Sequence, residues 1–189
     1  MPSWRDIVYG LYGAWRLAHL DRGGMTYFDQ TVEGFWKSFF AAAIVAPGYI
    51  ILVVFDATNR QVGAGLMSLL LVHLFAYSLS WTAYPVVVHQ ICTVIGRQPA
   101  FIGYIVAFNW AKVIQMGAYL PVVAITATGV LPGGAATLLN GLVYMLLLGY
   151  QWFVTRTALD LGSFAAVGFV VLDLVIGIII NAFVVGMLR

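Results

Sequence analysis

Apolar residues run along this chain in long uncharged blocks, and charges fall between them. From Ser38 or Phe39 to Phe55 the chain is uncharged and mostly apolar, bounded by Lys37 and Asp56. Roughly 20 helical residues cross a hydrocarbon core of about 30 Å, so this block is just long enough for a first span. Pro47 and Gly48 fall inside it and predict a kink. The next block has no formal charge between Arg60 and Arg97, with histidine taken as neutral. It predicts one long helix from about Val62 to about Val94, kinked at Pro85, with strong tilt or an end beyond the bilayer. A third span runs from about Phe101 to Ala127, with Pro121 near its outer end. The stretch from Gly129 to Gly134 is a turn by composition. A fourth span follows from about Ala135 to Val154, closed by Arg156. Asp160, Gly162 and Ser163 make a short connection to a fifth, from about Phe164 to Leu188. The pattern predicts an all-α integral membrane protein with five transmembrane helices.

The N-terminal segment has a different period. Trp4, Ile7, Val8, Leu11, Trp15 and Ala18 recur at helical spacing, with Arg5, Asp6 and Arg16 elsewhere on the wheel. This predicts an amphipathic helix at the cytoplasmic membrane interface. It either lies on the headgroups, packs against the base of the bundle, or docks a protein partner. Asp29 is the expected N-cap of a helix beginning near Thr31. The expected organisation is a cytoplasmic segment over 1–34 and a five-helix membrane domain over 35–189.

Composition narrows the class further. The chain is 62% apolar and 8% charged, against roughly 45–50% and 25% in soluble domains. That balance excludes a water-soluble fold, and the apolar content excludes a disordered one. A net charge of +2 without any basic run gives no reason to expect a nucleic-acid partner. With Cys92 as the single cysteine, an intrachain disulfide is impossible and a thiolate metal site is not expected. The first 30 residues contain Arg5, Asp6, Arg16, Asp21, Arg22 and Asp29 and lack the apolar core of a signal peptide. Arg5, Arg16, Arg22, Lys37, Arg97 and Arg156 fall on the N-terminal side of the five spans; Arg60 and Arg189 fall on the other. The positive-inside rule then predicts a cytoplasmic N-terminus and an exoplasmic or periplasmic C-terminus in a cell (inner) membrane. Trp36 and Trp152 fall near the inner boundary, as an aromatic belt would place them.

The candidate chemistry lies in polar residues inside the spans. Lys112 is about 16 Å along the third helix and Asp173 about 14 Å along the fifth, at 1.5 Å per residue. Both helices start on the cytoplasmic side, so the two charges have similar depth. Either one alone near mid-membrane costs about 2.5–3.5 kcal/mol, which predicts an ion pair, direct or through water. Asn109, Lys112, Gln115 and Tyr119 share a face of the third helix, and Asp173, Gly177 and Asn181 recur on the fifth. Thr137, Asn140, Tyr144, Gln151 and Thr155 stripe the fourth, and the second brings His73, Ser80, Thr82, Tyr84, His89 and Gln90. Such stripes either glue helices together or line a polar path. The candidate intramembrane site is Lys112, Asp173, Asn109, Gln115, Tyr144, Thr82, His89 and Asn181.

Cofactor and catalytic motifs are not found. His73 and His89 are roughly 24 Å apart on a straight helix, and the other spans carry no histidine to complete a haem or metal site. Ser80, Thr82 and Tyr84 have no partner base at a fixed spacing. Gly133 and Gly134 are turn residues and not a phosphate loop. No internal repeat is evident. No cofactor and no enzyme activity are expected.

The stretch from Tyr150 to Leu159 (YQWFVTRTAL) leads into an Ala-rich last span, and the long polar-dotted second span is followed by Gly96-Arg-Gln-Pro-Ala-Phe101. In these features and in its five close-set spans after a cytoplasmic N-terminus, the chain resembles the Yip domain family of Ypt/Rab-interacting proteins, in its bacterial branch, over about 35–189. The Asp-Leu-Tyr-Gly-Pro element of eukaryotic members is absent; Leu11-Tyr12-Gly13-Ala14 stands nearest to it. The resemblance implies a non-enzymatic membrane protein with a role in membrane organisation, trafficking or transport, and carries over no functional residue. The expected function is a membrane-organising adaptor or assembly partner of another membrane complex. The alternative is a small ion-coupled permease using Lys112 and Asp173. Expected partners are the lipid bilayer and other membrane subunits or further copies of the chain.

Overall fold

The computed structural model describes residues 1–60 and 65–188. Among them the fold is helical throughout: α1 (Trp4–Ala18), α2 (Val32–Ser38), α3 (Phe40–Arg60), α4 (Leu66–Val94), α5 (Phe101–Ala127), α6 (Gly133–Ala158) and α7 (Ser163–Met187), with short 3-10 turns at Arg22–Tyr27 and Gln98–Ala100. Among the described residues five stretches are long and apolar enough to cross a membrane: Val32–Thr58, Met67–Val94, Gln98–Ala127, Gly133–Ala158 and Ser163–Met187. The expected start of the second span, Val62, and the terminal Arg189 lie outside the described residues.

The first span begins earlier than its charge boundary. α2 and α3 meet at Phe39, which keeps right-handed helical geometry (φ −66°, ψ −12°). Glu33 and Lys37 sit within this span, paired at 2.8 Å one turn apart. The N-cap is Thr31, whose Oγ1 accepts from the Gly34 amide at 3.1 Å. Asp29 sits just before it and accepts instead from the Thr31 amide at 3.0 Å. A Cβ on Gly34 would lie 2.1 Å from the Asp29 carbonyl oxygen, so this turn closes only on glycine. Pro47, Pro85 and Pro121 each lie inside a continuous helix, where each removes one backbone donor. The turn expected to end at Gly134 ends sooner: α6 starts at Gly133, with Pro132 before it. Arg156 falls in the last turn of α6, which continues to Ala158.

α1 starts in a capping box. The Ser3 hydroxyl accepts from the Asp6 amide at 3.2 Å, and the Asp6 carboxylate accepts from the Ser3 amide at 2.8 Å. The helix packs on α5 by a face that overlaps only one edge of its apolar stripe: Ile7, Leu11 and Ala18 pack against the core, while Trp4, Val8 and Trp15 stay exposed. Gly10, Gly13, Ala14 and Leu17 are buried, while Trp4 and Trp15 are 78% and 54% exposed. The reason is close approach. A Cβ on Gly10 would lie 2.3 Å from the Trp110 ring, and one on Gly13 would lie 2.9 Å from the Gly24 carbonyl oxygen. The smallest side chains set the contact, and the largest remain outside. Lys37 Nζ at 3.2 Å from Asp6 and the Tyr150 hydroxyl donating to the Ala14 carbonyl at 2.9 Å fix the seat. Arg16 Nε donates to Asp21 at 2.6 Å and holds the turn that follows.

α5 is the hub. Every residue from Gly103 to Ala111 is buried, because α1, α2, α3, α4 and α6 all touch this helix. α4 and α6 both pack on α7. Around the buried part of α5 sits a core that includes Ala41, Val45, Trp81, Trp110, Phe153 and Val154. We call this end the base. Beyond Ala111 the burial of α5 falls off and the helices leave clefts between them.

Candidate functional site

Lys112 is the first residue of α5 beyond the fully buried stretch. Its Nζ lies 3.9 Å from Asp173 Oδ1 on α7, and the two side chains are 23% and 22% exposed. Gln151 on α6 donates from Nε2 to Asp173 Oδ2 at 2.9 Å. The ammonium also stands over two rings, 4.7 Å from the centroid of Phe108 and 5.6 Å from that of Trp81, within cation–π range. Four helices therefore supply this group: Trp81 from α4, Lys112 and Phe108 from α5, Gln151 from α6 and Asp173 from α7.

Three clefts meet at Tyr144. The first, about 330 Å³, lies among α3, α4, α5 and α6 and is lined by Tyr49, Tyr77, Ser80, Lys112, Gln115 and Tyr144 among others. The second, about 420 Å³, runs along α7 past Ser80, Lys112, Tyr144, Asp173 and Asn181. The third, about 660 Å³, reaches Thr126, Thr137 and Asn140 near the end away from the base. Lys112 and Ser80 line both of the first two and stand between them.

The base side is closed. The Tyr84 and Tyr104 hydroxyls are hydrogen-bonded to each other. Tyr104 also meets Thr155 Oγ1 at 3.1 Å, and Tyr84 donates to the Phe169 carbonyl at 3.3 Å. Tyr84, Tyr104 and Thr155 are fully buried. Buried hydroxyls without partners are costly, and this network satisfies them while joining α4, α5, α6 and α7 on the base side of Lys112.

The eight candidate residues divide. Lys112, Asp173, Gln115, Tyr144 and Asn181 share the clefts. Asn109 points elsewhere: it is 1% exposed and donates to Ser38 Oγ at 2.9 Å, tying α5 to α2. Thr82 is exposed and bonds back to the Ser78 carbonyl at 3.0 Å. His89 lies near the base, its ring 5.0 Å from that of Phe101. A shared helix and a polar side chain did not place these three at the site, because the side chains leave α4 and α5 in other directions. Tyr49 and Tyr77, not singled out from the sequence, line the first cleft. The Tyr49 hydroxyl meets His73 Nδ1 at 3.0 Å, and Tyr77 donates to the Ala42 carbonyl at 2.6 Å. The available signal was a phenol within an otherwise apolar block.

Comparisons with protein-family models, curated proteins and solved structures found no match. The function of this chain is therefore argued from its own geometry.

Proposed function

We propose that the chain is a non-enzymatic, multi-pass protein of the inner membrane that admits a polar solute to Lys112 and Asp173, as a small ion-coupled permease would. One observation carries this reading: clefts reach the Lys112–Asp173 pair from one side, while packed tyrosines close the other. Ionisable groups kept inside membrane spans mark substrate and ion pathways, and a site open to one face at a time is what alternating access requires. The charge distribution supports a cytoplasmic base, so the clefts would face the exoplasmic side.

Cysteine accessibility tests the proposal. In a Cys92→Ser background, Asn181→Cys and Tyr144→Cys should react with a membrane-impermeant thiol reagent added outside right-side-out vesicles. Thr155→Cys should stay unlabelled. Labelling of Thr155→Cys alone, or no labelling at either cleft position, rejects a cleft that opens outward.

A second reading keeps the Yip-like adaptor or assembly partner. The exposed Trp4, Val8, Tyr12 and Trp15 on α1 favour it, since an apolar face left outside a packed seat is available to lipid or to another membrane subunit. Copurification in mild detergent distinguishes the two: a stoichiometric partner lost on Trp4→Ser with Trp15→Ser supports the adaptor.

A further inference from the structure

The first cleft has an asymmetry that defines what it can hold. Among the described residues lining it, Lys112 carries the only formal charge. Asp173 does not line it; it lies behind Lys112, on the second cleft. The Lys112 ammonium donates no hydrogen bond among the described residues, since its carboxylate partner is 3.9 Å away. An ammonium has three donors. Here the ammonium lies over two aromatic rings, 3.9 Å from Asp173 Oδ1, and lines the cleft. The Tyr144 hydroxyl, also on the cleft, makes no hydrogen bond among the described residues either, and can donate. Ser80 and Gln115 also line it, their side chains donating to the Tyr77 and Leu147 carbonyls at 2.7 and 3.4 Å. The remaining wall is apolar or aromatic, including Val45, Trp81, Met116 and Leu147.

We propose that this cleft binds a small organic carboxylate with an apolar or aromatic body, its carboxylate resting on Lys112 Nζ. A volume of about 330 Å³ is at the lower end of the range of roughly 300–1,000 Å³ typical of small-molecule sites. Such sites combine an apolar wall with a few placed polar groups, as this one does. An approaching carboxylate meets the ammonium before it meets Asp173, which Gln151 holds on the far side. A cationic solute meets the wrong charge first. The inference rests on the proposed solute-binding role of the cleft and specifies its ligand class.

Calorimetric titration of the full chain in mild detergent tests it, with 3-phenylpropionate, its neutral amide and 3-phenylpropylamine as probes. The acid should bind saturably and at least about tenfold more tightly than the amide, since a hydrogen bond to a charged group contributes about 1.5–3 kcal/mol. The amine should give no saturable heat. Lys112→Gln should remove the preference for acid over amide, and Lys112→Arg should keep it. Leu147→Trp, which fills the cleft without touching the charges, should abolish binding of the acid while the helical signal is kept. Equal binding of acid and amide, tighter binding of the amine, or no saturable heat from the acid overturns the inference. The wild-type comparison needs no variant to fold. Outward labelling of Tyr144→Cys, which lines the first cleft, together with no carboxylate binding would leave the open cleft standing and reject its ligand class alone.

Discussion

Gln151 bonds the one oxygen of Asp173 that Lys112 does not approach: Nε2 is 2.9 Å from Oδ2, while Lys112 Nζ is 3.9 Å from Oδ1. The carboxylate is held more firmly by the neutral amide than by the cation. Removing Lys112 therefore leaves Asp173 with one good partner, whereas removing Asp173 leaves Lys112 with aromatic faces alone.

Lys112→Met and Asp173→Leu should each destabilise the detergent-solubilised protein, by about 1–3 kcal/mol, because each leaves a partly buried charge uncompensated. The double substitution should recover most of that loss. Thermal unfolding followed by circular dichroism measures it. A double variant no more stable than the worse single one would show that the two charges are not coupled.

Gly10→Leu should release α1 from α5. Even a Cβ at this position comes within 2.3 Å of the Trp110 ring, and overpacking of this kind typically costs about 1–3 kcal/mol. Limited proteolysis should cut the N-terminal segment sooner in the variant. Leu11→Ala, on the flank of the contact, should have a smaller effect.

Acid should loosen the same seat. The Asp6 carboxyl is held below its ordinary pKa, chiefly by the Ser3 amide and also by the Ser3 hydroxyl and Lys37, against a smaller opposing effect of burial. A depressed carboxyl pKa stabilises the folded form above the unfolded value, about 3.9. That contribution is lost as pH falls through the lower folded value. Protease release of the N-terminal segment should thus rise below about pH 4 in the wild type. In Asp6→Asn the added release at low pH should be smaller, with a higher level of release at neutral pH.

Tyr104→Phe should destabilise the base by about 1–2 kcal/mol, because Tyr84 and Thr155 both lose a buried partner. Tyr84→Phe with Tyr104→Phe should cost less than the sum of the two single changes. Additive losses would mean that the two hydroxyls act independently.

The sequence was most legible where one physical rule acted alone. The pattern predicts α5 from about Phe101 to Ala127, and it spans those residues, because an apolar block with Lys112 as its single charge, bounded by Arg97 and a Gly- and Pro-containing turn, leaves little choice. The matched depth of Lys112 and Asp173 follows from helical rise alone, and the two side chains do meet. Legibility fell where packing decided. Hydrophobic spacing on α1 marks Ile7, Leu11 and Ala18, which do pack, but the closest contacts are set by Gly10 and Gly13 against Trp110 and Gly24. Asn109 and Lys112 are three residues apart on α5, yet one turns to Ser38 and the other to Asp173. Which neighbouring helix fills each sector around α5 is not written in the periodicity of α5.

The bond from Tyr150 to the Ala14 carbonyl spans 136 residues of chain. α1 is synthesised before α5 and α6, and it has no seat until both have been made. Until then Gly10 and Ala14 lack their partners Trp110 and Tyr150, and Trp4 and Trp15 lie outside the seat in any case. Docking of α1 therefore waits on Tyr150, and a chain truncated before that residue would lack the bond that ties α6 to the Ala14 carbonyl.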